Sequence, residues 1–158
     1  MDAASMIRHI SDDLADVAVV QNMGDWFFFH ERGDRVMPFA TVVTSDHGDG
    51  ISAPLAREGA YRVSIGLTKP GYTALFGAPP RDRDARGVLD TGFDPGTEDR
   101  VVPHPHYASQ YWVCVLNPGR PTTATVRELL VEAHAHATRK AERRARRNAG
   151  LTSDNGKS

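Results

Sequence analysis

The chain has 158 residues, 40% hydrophobic and 25% charged, a formal net charge of −1 and one cysteine. That length fits one domain with a real core, and a single cysteine excludes an internal disulfide and suits a reducing compartment. No apolar run approaches the roughly 18 residues of a membrane span, and MDAASMIRHISDD lacks the apolar stretch of a secretory leader, so a cytoplasmic location is expected.

Met6, Ile7, Ile10 and Leu14 recur at the spacing of one helix face, which predicts a helix over residues 3–14 capped by Asp2 or Ser5. Val17–Gln21 is apolar and β-branched, Asn22–Asp25 reads as a turn, and Trp26–His30 (WFFFH) as a second strand. Gly33-Asp34 marks the next turn and Phe39–Ser45 a third strand. Residues 46–54 read as a glycine-rich loop. Its Asp46-His47-Gly48-Asp49 has the composition of a metal or acid/base cluster but not the spacing of a calcium loop. In Tyr61–Leu67, Tyr61, Val63, Ile65 and Leu67 alternate with Arg62, Ser64 and Gly66, the pattern of a half-buried strand. Lys69-Pro70 opens a short helix that Gly77 ends.

Residues 78–106 form a connection long enough to expect a functional or mobile segment, with a short strand at Val101-Val102. Tyr111–Leu116 is apolar on both faces and reads as a central strand. Thr122 or Thr123 is expected to cap a last helix whose stripe is Val126, Leu129, Leu130, Ala133 and Ala137. The domain is expected to span residues 1–148, with 149–158 a loose tail. Strands joined by short turns pair antiparallel, so the expected fold is α+β: a sheet of about five strands with the N- and C-terminal helices on one face.

The segments PFATVVT, YRVSIGLTKPGYTALFG, PHPHYASQYWVCVL and ELLVEAHAHA together resemble the MmcQ/YjbR-like proteins, small bacterial α+β domains. Over about residues 5–140 the chain looks closer still to a mainly actinobacterial family. That family is marked by GD-x-FFF (Gly24–Phe29), PFAT (Pro38–Thr41) and HP-x-YA followed by WV-x-VLNP (His104–Pro118). The resemblance implies a fold rather than an activity. The wider group's suggested DNA-binding role carries over poorly, because Ser109 and Gln110 stand where its loop has lysine and arginine.

Two features carry candidate chemistry. The first is the HPHY segment. His104 and Tyr107 are the expected catalytic pair, an imidazole to move protons and a phenol to donate to an oxyanion. Trp26, Tyr111 and Trp112 are expected as pocket walls and Arg62 as an anchor for carboxylate or phosphate. His104 and His106 are half of a zinc site, needing a third ligand from His30, His47, Asp94 or Cys114; no metal or other cofactor is assigned. Cys114 reads as an inert buried thiol.

The second feature is the run Arg139–Arg147. Its six cations against Glu142 make +5, so with Asp154 and Lys157 cancelling, the total of −1 leaves −6 for the rest. Such runs are usually solvated helix faces. The leading expectation is therefore a small-molecule binding domain, or a cofactor-independent enzyme of specialised metabolism, with its pocket at HPHY and residues 78–106 as a lid. The alternative is a nucleic-acid-binding or regulatory module using the basic helix, and either would be a monomer or homodimer away from membranes.

Overall fold

The computed structural model describes residues 1–45 and 53–155. Its framework begins with a hairpin. Strands β1 (Val17–Asn22) and β2 (Asp25–His30) pair from Asn22 opposite Asp25 to Val17 opposite His30. The two-residue turn places Met23 at φ 52° and Gly24 at φ 84°, the pair of positive angles that matches the twist of a tight hairpin. β3 (Ala40–Val43) pairs with β2, and β4 (Arg62–Gly66) with β3. The last long strand, β6 (Trp112–Leu116), adds to β4, and the short β5 (Val102–Pro103) closes the far edge. The result is one six-stranded antiparallel sheet in the order β1-β2-β3-β4-β6-β5.

Three helices cover one face: α1 (Ala3–Arg8), α2 (Lys69–Phe76) and α3 (Arg120–Asn155). Met6 and Ile10, Tyr72, and Val126, Leu129, Leu130 and Ala133 meet Phe28, Val42, Val63, Ile65, Val113 and Val115 in a single apolar cluster. The helices thus collect the inward side of every long strand from β2 to β6. The expected α+β fold, with the terminal helices on one face, is the observed one. The sixth strand is the two-residue edge.

Local details differ from expectation for identifiable reasons. Asp2 caps α1 by accepting from the Ser5 N–H, but after Arg8 the helix loosens into a π turn over His9–Asp13. α3 begins at Arg120, ahead of the two threonines expected to cap it. Asp99 supplies the start from outside: its carboxylate accepts from the Gly119 N–H, and its carbonyl accepts from Thr122. At its other end α3 continues to Asn155, into the stretch expected to be a tail. Gly150 is the one weak helix former there before Asn155 that costs about 1 kcal/mol relative to alanine, and no proline stops the helix. Among the described residues no helix is long and apolar enough to cross a membrane.

The face of β4 that alternation reads as half-buried is in fact closed. Arg62 is 5% exposed and Ser64 2%. Leu116 packs there with Leu55 and Ala60, and Cys114 is buried beside them on β6. The long connection is packed into the fold. The Leu89 N–H donates to the Pro105 carbonyl, Asp99 N–H to Leu116, and Leu89 is itself buried. Arg83 donates to the carbonyls of Gly87 and His106 and to Ser109 Oγ, pinning the segment against the HPHY turn.

Leu130 is fully buried where α3 meets the sheet. Leu130→Ala is expected to lower unfolding stability by about 2–5 kcal/mol. Urea titration should show this as a lower midpoint with an unchanged slope.

Candidate functional site

The ends of four strands meet at one edge of the sheet: the C-terminal ends of β2 and β4 and the N-terminal ends of β3 and β6. α3 passes this edge and continues beyond it. Between them lies a cleft of about 630 Å³, a volume ordinary for small-molecule sites. Phe29, Phe39, Leu67 and Trp112 give it apolar walls, and the β2–β3 loop contributes Arg35, Met37 and Pro38. On α3, Ala133, Ala137 and Ala141 follow one another at intervals of four and make a smooth floor; His136, Lys140, Arg143, Arg144 and Arg147 rise beside it.

Trp112 reaches the cleft because β4 makes room for it. A Cβ on Gly66 would stand 2.8 Å from the Trp112 ring, so the indole lies directly on glycine backbone. His30, at the inner end of β2, also lines the cleft and is 4% exposed. Its Nδ1 accepts from the Arg32 N–H, which leaves the proton on Nε2; that buried nitrogen has no hydrogen-bond partner among the described residues. Its ring stacks on His134, whose Nε2 lies 2.6 Å from the Ala15 carbonyl. Burial and then the charges of Arg32 and His134 hold the His30 pKa below its usual range. Across the floor, His136 is held down as well, by burial and then by Lys140, Arg139 and Arg143.

The HPHY segment stands next to this cleft rather than around it. His104, Tyr107 and Trp112 do come together. Their ring centroids are 4.9 Å apart for His104–Tyr107, 6.5 Å for His104–Trp112 and 6.4 Å for Tyr107–Trp112. Only Trp112 faces the cleft. His104 Nδ1 accepts from the backbone N–H groups of both His106 and Tyr107, so its lone pair is already engaged in shaping the turn. Burial, the Arg62 guanidinium and His106 push its pKa down to about 3. A neutral imidazole with an occupied Nδ1 can offer a ligand a donor at Nε2, but it is a poor proton acceptor. Tyr107 is 46% exposed.

The other expected site residues lie elsewhere. Trp26 packs half-buried against the helix-side core, and Tyr111 sits 6.0 Å from Tyr72 on the same side. Neither walls the cleft, because β2 turns Trp26 to the core together with Phe28. Tyr111 adopts a left-handed conformation, φ 69°, that swings it away from Trp112. Arg62 is inside the sheet's other face, close enough to influence both His104 and Cys114. Burial raises the Cys114 thiol to about 11, as fits an inert cysteine. Among the described residues no group of three metal-ligating side chains gathers at His104 and His106 or anywhere else. The Asp46–Asp49 cluster and His47 fall outside the described residues. The cations of α3 are singled out by the sequence as a solvated face or, alternatively, a phosphate-contacting surface, but their place on the cleft is not read from it. The available signal was that Ala133, Ala137, Lys140, Ala141, Arg144 and Arg147 share one helix face.

A family profile described as "Family of unknown function (DUF6194)" matches residues 1–146, and the chain belongs to that family. No curated protein and no solved structure matches it.

Substitutions at two positions test this geometry. Gly66→Ala should displace Trp112, lowering stability by about 1–3 kcal/mol and shifting tryptophan emission. His104→Ala should cost about 1–3 kcal/mol by orphaning two backbone donors, whereas His104→Asn, whose amide oxygen can stand in for Nδ1, should recover much of the loss. The unfolded chain protonates His104 near 6.5, while the folded one resists until about 3. The imidazole's contribution is therefore complete above 6.5 and lost as pH falls through that window, so the gap between wild type and His104→Asn should narrow on acidification. Denaturant titrations at pH 7 and pH 4.5 measure it.

Proposed function

We propose that this member of the DUF6194 family is a small-molecule binding domain whose ligand lies in the cleft between α3 and the end of the sheet. The observation that carries the reading is the combination at that place: a half-open cleft of about 630 Å³, aromatic walls, and cations gathered on one side. Sites of this kind take a ligand's apolar body against the rings and use a few polar groups for orientation.

The reading keeps Trp112 as a wall and makes the HPHY turn its support. Tyr107 and His104 pack around Trp112 without lining the cleft themselves, and Arg83 ties the turn to the long connection. The locked Nδ1 of His104 favours a binding role over proton transfer at this segment. The order of elements remains consistent with kinship to the MmcQ/YjbR-like proteins, which we offer as part of the same proposal. Binding along duplex DNA fits less well: four of the six cations in the run Arg139–Arg147 line the cleft, and the chain outside that run carries −6.

The test uses the two-tryptophan chain with Trp26→Phe, so that Trp112 alone reports. Titration with N-phenyl-1-naphthylamine, a flat neutral dye, should raise dye emission and quench Trp112 together. Ala137→Phe, which fills the floor, should abolish both changes while the far-ultraviolet circular dichroism stays the same. Dye binding that survives Ala137→Phe, or no binding to the parent protein, would count against the cleft.

A further inference from the structure

We infer that the ligand of the cleft is a flat aromatic molecule carrying a phosphate, or another group with two or more negative charges, seated with its ring against Trp112 and its charge on α3. The inference rests on the binding reading above and adds the ligand's chemical class.

The first argument is charge. Five cations line the cleft, Arg35 and four on α3, against a single acid, Asp34. None of the five forms an ion pair with a described residue, although the rest of the chain is acidic. Acidic side chains are thus plentiful in the molecule and are not spent on these cations. Gathering like charges along one helix face costs stability unless something neutralises them. Burial first, and then the charges of Lys140, Arg139 and Arg143, hold the His136 pKa down.

The second argument is geometry. Lys140, Arg144 and Arg147 span about 10 Å of helix at 1.5 Å per residue, a row rather than a point. Arginine's planar fork suits phosphate oxygens, which it can grip two at a time. At the other side of the cleft, the Trp112 indole packs so closely on Gly66 that a Cβ there would stand 2.8 Å from the ring, and the 6% of the residue left exposed borders the cleft. Base-like rings stack well on such a surface. His30 also lines the cleft, and its buried Nε2–H, without a partner among the described residues, is a donor that an acceptor on the ligand would match.

The experiment compares 1-naphthyl phosphate with 1-naphthol, the same ring with and without the charge, using Trp112 quenching in the full-length Trp26→Phe protein. At low salt the phosphate should bind at least about tenfold more tightly, and the advantage should shrink at high salt. Arg144→Gln should lower phosphate affinity about tenfold and leave naphthol binding unchanged; Lys140→Gln gives a second reading should Arg144→Gln fold poorly. Equal binding of the two compounds would overturn the anionic class while leaving a binding cleft in place. Binding of neither would overturn both. A short DNA duplex that displaces 1-naphthyl phosphate and binds more tightly than it would also overturn the inference, since the cations would then serve a polymer.

Discussion

The last helix is too long for the sheet it covers. With 36 residues it extends about 54 Å at 1.5 Å per residue, while six strands span at most about 29 Å across and a six-residue strand about 20 Å along. Its first half is held by apolar contact with the strands. Its second half must find another partner or stand in water. The alanines at 133, 137 and 141 let it stay close as it leaves the sheet's end, and Ala141 is still 2% exposed. The cleft is a consequence of that departure: a helix running on past strands that stop.

The same constraint explains why the aromatic residues divide as they do. Phe28 and Trp26 alternate to the helix face of β2 and go into the core. Phe29, one residue on, faces the other way and finishes at the strand's end, where it becomes a wall. Phe39 and Trp112 are likewise at strand ends. Phe39 and Trp112 are 5% and 6% exposed, so each is packed on most of its surface and only a margin of the ring borders the cleft.

Histidines are organised by the same scarcity of water. His104 and His30 each use Nδ1 to accept from backbone N–H groups two or three residues onward, so each ring finishes a turn. Both have lowered pKa values, His104 by burial and then by the neighbouring Arg62 and His106, His30 by burial and then by Arg32 and His134. They shape the ground beside the cleft, and what they have left to offer is a donor at Nε2.

By itself the sequence determined the order of the elements, the tight hairpin at Met23-Gly24, the central place of Trp112–Leu116 and the apolar stripe of α3. These are local properties, set by alternation, turn residues and helix spacing. It also placed His104, Tyr107 and Trp112 together, because they are neighbours in the chain. Only the tertiary structure decided the rest. Whether Arg62 faces water or the interior depends on what covers β4, and Leu55 and Cys114 come from either side of it in sequence. Trp26 and Tyr111 look like pocket residues by composition, yet strand alternation and a left-handed backbone send them to the core. Above all, the cleft joins residues 29–39, 66–67, 110–112 and 133–147, from well-separated stretches of the chain. A row of arginines reads as a solvated face until the strand ends opposite it are known, because charge says nothing of what a helix turns toward.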